Sequence, residues 1–274
     1  MPNISLQGIR KFRKKILSFY ARRKRDLPWR RTSDPYAILL SEVMLQQTQV
    51  DRVLAYYQKW LHKWPTIHEL ARAGRADILR EWLGLGYNNR ARNLHETAKI
   101  ISGKHRGDVL AALKQYKELP GIGPYTSRAV RIFSTNEGII TVDTNIRRIL
   151  IHEFGLDGKI TDRQLGEVAE KCCPKGKGRE WHNALMDYGA TFLTSRRTGI
   201  RPKTSQGRFE GSDRQIRSKV LRLLLSKGKL SFDELKKGLR MIVECSGVRL
   251  RRILGNMEAD ALIRQRNGKY IIDG

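Results

Sequence analysis

Apolar residues recur at helical spacing along most of the chain. Near the start, Ile9, Phe12, Ile16 and Tyr20 fall three or four positions apart among cations, which is the pattern of a helix with one buried face. The same periodicity continues to about residue 193, interrupted by short segments that contain Gly or Pro. No alternation of strand type occurs there, so residues 1–194 are expected to form an all-α domain of about ten helices.

The pattern changes after this domain. Residues 195–212 are polar, basic and Gly-containing, with few apolar positions, which indicates a basic linker. Periodic apolar positions return in residues 213–274 and predict a second, smaller domain of mixed α and β structure.

The sequence pattern of the smaller domain predicts three helices and a hairpin. The helices are predicted at 214–227, 232–239 and 248–260, and two short strands meet at Asn267-Gly268, a strong signal for a two-residue hairpin. This is the winged-helix arrangement, whose third helix lies in a DNA groove. The candidate DNA-binding residues of that helix are Arg249, Arg251 and Arg252. A protein-binding or dimerising module of the same shape is the alternative.

Charge narrows the choice of partner. The chain has 54 Lys and Arg against 27 Asp and Glu, a formal net charge of +27, which favours a polyanion such as nucleic acid. Ribosomal and membrane-surface proteins share this bias. No apolar run reaches the ~18 residues of a membrane span, and the N-terminus lacks a signal-peptide core. We therefore expect an intracellular, soluble protein, cytoplasmic or nucleoid-associated, that binds DNA and no membrane.

One short motif is suited to DNA backbone. Leu119, Gly121, Ile122 and Gly123 belong to the segment LPGIGPYT, which lies between two helical stretches. Glycines on both sides of an apolar residue allow a tight turn and a close approach to another surface. Amides at the start of the next helix can then bind a phosphate. The motif predicts a helix-hairpin-helix; the alternative is an ordinary helix-to-helix turn.

Two carboxylates are candidates for chemistry. Asp143 follows an apolar run and precedes a helix, so it could simply be an N-cap. Glu42 lies in an otherwise apolar helix, where burial would raise its pKa and keep it a proton donor. Cleaving a base from its sugar needs such a pair, because one carboxylate stabilises an oxocarbenium-like sugar while an acid protonates the leaving group.

Four blocks carry a resemblance to a known family: DLPWRRTSDPYAILLSEVMLQQTQV, GLGYNNRARNL, LPGIGPYT and VDTNIRRIL. In this order and spacing they resemble the MutY-like adenine DNA glycosylases. They are somewhat less similar to the thymine–DNA mismatch glycosylases, which share the helix-hairpin-helix superfamily with endonuclease III. The similarity covers roughly residues 8–193 and implies the helix-hairpin-helix glycosylase fold in two helical lobes.

The resemblance assigns catalytic roles residue by residue. Asp143 matches the acid that faces the sugar, and Glu42 matches the general acid that protonates the departing adenine. Asn145 and Tyr125 match residues that support that acid and the transition state. Endonuclease III has an imine-forming lysine where this chain has Tyr125. A monofunctional glycosylase without strong strand-cleaving lyase activity is therefore implied.

The resemblance also assigns the DNA contacts. The predicted pocket for the flipped base is formed by Leu27, Trp29, Arg30, Val50 and Asn183. Gln47 and Tyr87 match side chains that wedge into the base stack, which helps to offset the cost of extruding a base. For Trp29, Val50 and Tyr87, plain core packing is the alternative.

This chain departs from the family at its cysteines and its C-terminal part. MutY-like enzymes bind an iron–sulfur cluster with four cysteines, whereas residues 191–244 contain none, so no cofactor and no metal are expected. We also expect no counterpart of the family's 8-oxoguanine-recognising domain, which leaves the identity of the excised base open.

The leading hypothesis is a monomeric base-excision-repair enzyme that removes adenine mispaired with guanine or 8-oxoguanine from double-stranded DNA. The first alternative is excision of thymine or uracil from T:G or U:G mismatches. A catalytically silent DNA-binding protein on the same scaffold is the alternative of another class.

Overall fold

The fold is helical along most of the chain. The computed structural model describes residues 4–200, 207–240 and 245–273. Within 4–193 it contains eleven α-helices and two short 3₁₀ turns, Pro28–Arg30 and Tyr116–Glu118, which confirms the expected all-α fold. The helices are α1 (Leu6–Arg23), α2 (Pro35–Leu45), α3 (Val50–Lys63), α4 (Ile67–Arg72), α5 (Arg75–Trp82), α6 (Asn89–Lys104), α7 (Val109–Lys114), α8 (Pro124–Thr135), α9 (Thr144–Phe154), α10 (Asp162–Cys172) and α11 (Gly178–Thr191).

The chain divides into two compact units that interleave along the sequence. The first unit comprises Met1–Glu42 with Ile122–Ser205, and the second comprises Val43–Gly121 with Gln206–Gly274. The division into domains 1–194 and 213–274 stays a prediction. Part of the predicted linker, residues 201–206, lies outside the described residues. Another part, Ser195–Thr198, forms a short helix, α12.

Helix α1 anchors the core of the first unit. The Ser5 hydroxyl accepts a hydrogen bond from the Gly8 amide at 3.1 Å and caps the helix. Its buried face, Ile9, Phe12 and Ile16, belongs to one hydrophobic cluster with residues of α9, α10 and α11. Each such side chain contributes about 1.5–3 kcal/mol when fully buried. This core holds the start of α9 and the length of α11 in fixed positions.

The C-terminal part has the predicted three helices and hairpin. Its helices are α13 (Asp213–Lys227), α14 (Phe232–Arg240) and α15 (Gly247–Ala259), and residues 241–244 lie outside the description. Strands β2 (Ile263–Arg266) and β3 (Lys269–Ile272) pair antiparallel. Asn267 and Gly268 both have positive φ, 49° and 72°, as a type I′ hairpin requires.

A third strand was not predicted. Strand β1 (Leu230–Ser231) pairs with β3, which gives the sheet order β1-β3-β2. Two residues are too few to show an alternating pattern, so sequence periodicity could not reveal it. In the described ranges, no helix has both the length and the apolar character to cross a bilayer.

Candidate active site

Three of the predicted catalytic side chains meet in the first unit. Glu42 lies on α2, Tyr125 lies in the first turn of α8, and Asp143 is the residue before α9. The Tyr125 hydroxyl donates a hydrogen bond to the Glu42 carboxylate. The Asp143 carboxylate is near enough for its charge to act on both of the other side chains. We call Glu42, Tyr125, Asp143 and Asn145 the acid cluster.

The environment of Glu42 favours its protonated form. The pKa of Glu42 is raised from 4.5 to about 7, mainly by desolvation and secondly by repulsion from Asp143. The hydrogen bond from Tyr125 and the charge of Arg30 oppose this rise. A carboxyl group with a pKa near neutrality exists in both protonation states at neutral pH. Glu42 is therefore suited to donate a proton and recover it.

Asp143 is held by hydrogen bonds to both of its oxygens. Its Oδ1 accepts from the Ile146 amide at 2.7 Å, and its Oδ2 accepts from Asn145 Nδ2 at 3.1 Å. Desolvation raises the pKa of Asp143 above its ordinary value, while these hydrogen bonds and the charge of Arg148 oppose the rise. The N-cap interpretation of Asp143 is thus correct. Capping also fixes the carboxylate beside Glu42, so the two interpretations do not exclude each other.

A buried arginine that sequence reasoning missed orders this cluster. Arg148 is 6% exposed. Its Nη2 donates to Asn145 Oδ1 at 2.6 Å and to the Gly189 carbonyl at 3.2 Å, while its Nε donates to the Leu193 carbonyl at 2.6 Å. A Cβ added at Gly189 would lie 3.0 Å from Asn145 Cβ, so a larger side chain there would push on Asn145. The repeated arginines of TNIRRIL gave no signal to separate Arg148 from Arg147.

Four predicted pocket residues belong to the first unit. Leu27, Trp29 and Asn183 are buried, and Asn183 lies on α11. Arg30 forms a bidentate pair with Asp187, with Nη1–Oδ2 at 2.7 Å and Nη2–Oδ1 at 2.8 Å. This pair fixes the guanidinium of Arg30, whose charge acts on Glu42.

Asp187 is a second residue that sequence reasoning missed. Its side chain is fully buried and also accepts hydrogen bonds from the amide and the guanidinium of Arg25. Two arginines and a backbone amide hold its pKa below the ordinary value, so it stays ionised. The remaining predicted pocket residue, Val50, begins α3 in the second unit and is half-buried.

Both predicted wedge residues have strained backbones. Gln47, between α2 and α3, has φ 57°, and Tyr87, between α5 and α6, has φ 49°. Residues other than glycine rarely adopt this left-handed conformation, which costs about 1–3 kcal/mol each. Such strain persists only where surrounding contacts impose it and is common at binding sites. We call these two segments the strained loops.

Arg90 holds both strained loops in place. It is 8% exposed, and its Nη1 donates to the carbonyls of Val43 and Met44, both at 2.9 Å. Its Nη2 donates to Thr48 Oγ1 and to two carbonyls of the second loop, at 3.0–3.1 Å. Burial without a carboxylate lowers the pKa of Arg90 to about 10. The block GLGYNNRARNL contains Arg90, but its spacing does not show which arginine is buried.

In the predicted hairpin motif, one of the two glycines allows the backbone to approach a neighbouring side chain closely. Gly121 has φ 74°, and a Cβ added there would lie 2.8 Å from Asn93 Nδ2. Gly123 has φ −93° and precedes α8, with nothing within 4 Å of an added Cβ. Leu119 and Ile122 are buried. The expectation that both glycines are needed for a tight, close turn therefore applies to Gly121 alone.

The arginines predicted to bind DNA on α15 have partners within the chain. Arg249 and Arg252 both bind the Asp213 carboxylate, at 2.7 Å and 2.8 Å. Arg251 lies over the Phe232 ring, 5.0 Å from its centroid. These contacts use the cations of α15 to hold the C-terminal helices together, and the assignment of this helix to DNA stays a prediction.

The cysteines do not fit the iron–sulfur cluster that the family implies. Such a cluster takes four thiolates, and the chain has three cysteines, Cys172, Cys173 and Cys245. Burial raises the pKa of the Cys172 thiol to about 12, which disfavours the thiolate that metals bind. In the described part of the chain, no group of three or more His, Cys, Asp or Glu side chains is arranged to hold a metal ion.

Comparisons with known proteins show which family the chain belongs to. A family described as "HhH-GPD superfamily base excision DNA repair protein" matches residues 40–175. The adenine DNA glycosylase of Mycolicibacterium smegmatis is 39% identical over 76% of this chain and 78% of its own length. That of Mycobacterium tuberculosis is 34% identical over 94% and 92%.

Solved structures share the fold. A thermostable thymine-DNA glycosylase has a TM-score of 0.64 and 30% identity, covering 70% of this chain and 90% of that one. Endonuclease III trapped as a covalent intermediate with DNA has a TM-score of 0.63 and 19% identity, covering 73% and 92%. At that identity, the second likeness concerns the fold alone.

Proposed function

Because the chain belongs to the HhH-GPD superfamily of base excision DNA repair proteins, we propose that it is a DNA N-glycosylase that removes adenine mispaired with guanine or 8-oxoguanine. The observation that carries this proposal is the pair of adjacent carboxylates, Glu42 with a pKa of about 7 and Asp143 held by two hydrogen bonds. The names and identities of the mycobacterial relatives support adenine as the base.

Glu42 supplies the proton for the leaving base. Its proton passes to N7 of adenine while the bond between the sugar C1′ and the base N9 breaks, and the bonding electrons leave with the base. A neutral adenine departs more readily than its anion, so the acid raises the rate of base release, typically by a factor of about 10²–10⁴. Tyr125 positions Glu42 through the hydrogen bond between their side chains.

Asp143 stabilises the cation that remains on the sugar. Loss of the base leaves an oxocarbenium-like sugar, and a fixed carboxylate needs no reorganisation when that charge develops. Asn145 and Arg148 keep the carboxylate in place. Water then adds to C1′, and its proton returns to the Glu42 carboxylate. A phenol such as Tyr125 cannot form an imine with the sugar, so the strand stays intact after base release.

The DNA contacts follow from the same proposal. Leu27, Trp29, Arg30 and Asn183 of the first unit line the pocket for the flipped base, while Val50 keeps the pocket role that the resemblance implies. Gln47 and Tyr87 enter the base stack. Leu119, Gly121, Ile122 and Gly123 present backbone amides to a phosphate. The protein acts as a monomer and without a metal or cluster, which gel filtration and iron analysis of the purified chain would test.

The test is base release from end-labelled duplexes that contain A:G, A:8-oxoguanine, T:G or U:G, followed by alkali to reveal abasic sites. We expect cleavage of the adenine strand, and cleavage only after alkali. Cleavage of the thymine or uracil strand would instead favour the alternative suggested by the likeness to a thymine-DNA glycosylase. Binding without base release from any duplex would mean a catalytically silent protein.

A further inference from the structure

A large cleft lies within the second unit. It has a volume of about 1060 Å³ and is lined by both strained loops and by one face of α13. This volume is at or above the ~300–1,000 Å³ typical of pockets for small ligands. The cleft is therefore large enough for a segment of a polymer.

The lining of the cleft is strongly basic. Among the lining residues that the structure describes, Asp260 is the single acid, and its Oδ2 is 2.5 Å from Arg217 Nη2. Carboxamides and aromatic rings fill much of the remaining wall. Cations, aromatic rings and carboxamides together suit phosphates and bases. The cations are Arg52, Arg90, Arg214, Arg217, Lys219 and Arg222.

Apart from Arg90, which backbone carbonyls hold, three of these cations have no acidic partner among the described residues. Arg52, Lys219 and Arg222 form no ion pair with a carboxylate in the described ranges, whereas the cations of α15 are paired or stacked. Lys219 and Arg222 lie one helical turn apart on α13. A pair at this spacing projects from one face of the helix. That face carries uncompensated positive charge into the cleft.

Arg214, on the same helix, contacts the predicted wedge residue. Its Nη1 donates to the Tyr87 hydroxyl at 2.6 Å, and its guanidinium lies 5.2 Å from the centroid of the Tyr87 ring. Arg90 also lies over this ring, at 5.7 Å. The strained conformation of Tyr87 is thus supported by one arginine from α6 and one from α13.

We propose that this cleft binds one strand of the DNA, with Arg52, Lys219 and Arg222 on its phosphates and Arg214 as a positioning residue for Tyr87. The C-terminal part of the chain thus contacts DNA through α13 and not through α15. This inference rests on the proposed function in taking DNA as the ligand and deepens it by adding a second DNA-binding surface.

The first test measures the salt dependence of DNA binding. The full chain, its Lys219→Ala/Arg222→Ala variant and the matched control Lys229→Ala/Lys237→Ala are titrated onto a fluorescent duplex that contains an abasic-site analogue. Log affinity falls with log salt concentration, and each lost phosphate contact makes this slope less steep by about 0.9. We therefore expect the cleft variant to lose about 1.8 from this slope and at least about tenfold in affinity, and the control to match the wild type.

An unchanged slope for the cleft variant, or an equal loss for the control, would overturn the cleft as a DNA site. Arg252→Ala, on α15, should leave the slope unchanged; a loss there as large as that of the cleft variant would overturn the preference for α13. Failure of the wild type to release adenine, with the expected slopes, would reject the proposed function alone.

The second test isolates Arg214. A 2-aminopurine beside the abasic-site analogue brightens when a wedge disturbs its stacking. We expect Arg214→Gln to reduce this increase in fluorescence several-fold without lowering the melting temperature of the protein. Arg214→Lys, which keeps a cation near the ring, should restore part of the increase. A fluorescence increase in Arg214→Gln as large as that of the wild type would overturn the positioning role of Arg214.

Discussion

The acid cluster of the first unit and the strained loops of the second are each built around a buried arginine. Arg148 binds a side chain, Asn145, which in turn binds the Asp143 carboxylate. Arg90 binds four backbone carbonyls and one hydroxyl, with no carboxylate among its hydrogen-bond partners in the described residues. Arg148 also binds two backbone carbonyls, but it acts on a carboxylate through Asn145, whereas Arg90 acts on backbone conformation alone.

Because of this difference, substitutions in the two regions should have different effects on base release, DNA binding and folding. A change in the acid cluster alters protonation and charge while the backbone stays capped, so it should remove chemistry and spare DNA binding. A change at Arg90 leaves buried carbonyls without donors, which costs about 1–3 kcal/mol for each unsatisfied group. It should weaken folding and DNA binding together. The following variants test this separation, beginning with the largest expected effect.

Asp143→Asn should abolish base release, with a loss of at least about 100- to 1000-fold, because a neutral amide cannot stabilise the sugar cation. Asn is as good an N-cap as Asp, so the melting temperature and the affinity for A:G duplexes should stay close to those of the wild type. Single-turnover base release and anisotropy measure the two properties. Loss of folding would instead mean that Asp143 serves only as the cap of α9.

The protonation of Glu42 should set the pH dependence of the rate. With a pKa of about 7, Glu42 loses its proton as the pH rises, so base release should fall by about tenfold per pH unit above 7. Glu42→Gln should be inactive at every pH. A rate that stays constant from pH 7 to 9 would contradict the role of Glu42 as the acid.

The same pKa has a consequence for stability. The folded-state pKa of Glu42 lies above its ordinary value of 4.5, so folding takes up a proton between these two values. The free energy of unfolding of the wild type should therefore fall, relative to Glu42→Gln, as the pH rises from about 4.5 to about 7. Denaturant melts at a series of pH values measure this difference.

Arg90→Lys should lower the free energy of unfolding by about 2–4 kcal/mol, because an ammonium group cannot reach five acceptors in two loops. DNA affinity should fall with it, while DNA-saturated protein keeps most of its rate of base release. Arg80→Lys, at an exposed ion pair on α5, is the control and should change stability by less than about 0.5 kcal/mol. Equal effects of the two substitutions would mean that Arg90 contributes no more to the fold than an exposed arginine.

Sequence periodicity was informative wherever structure depends on near neighbours. The buried face of α1 and the type I′ hairpin at Asn267-Gly268 follow from residue spacing and backbone preference. Helix α15, predicted at 248–260, is found at Gly247–Ala259. The raised pKa of Glu42 also followed from one acid in an apolar helix.

Contacts between distant parts of the chain were not predictable in this way. Arg90 reaches carbonyls 46 and 47 residues away, and Arg148 reaches one 45 residues away. Neither differs in type from the half-buried arginines nearby, Arg92 and Arg147. The pairing of α15 arginines with Asp213 depends on how two helices pack, which periodicity does not reveal. Only the long-range hydrogen bonds thus show which of many similar cations hold the fold together.

The smallest effect concerns the strain at Gln47. Gly adopts its φ of 57° without a steric penalty, so Gln47→Gly should raise the free energy of unfolding by about 0.5–1 kcal/mol while weakening DNA binding. Gln49→Gly is the matched control, since Gln49 has φ −68° and Gly brings no relief there. Denaturant melts and anisotropy would compare the two variants. If Gln47→Gly lost stability and kept full affinity, its strain would have a structural role, and the distinction between the strained loops and the acid cluster would fail at this residue.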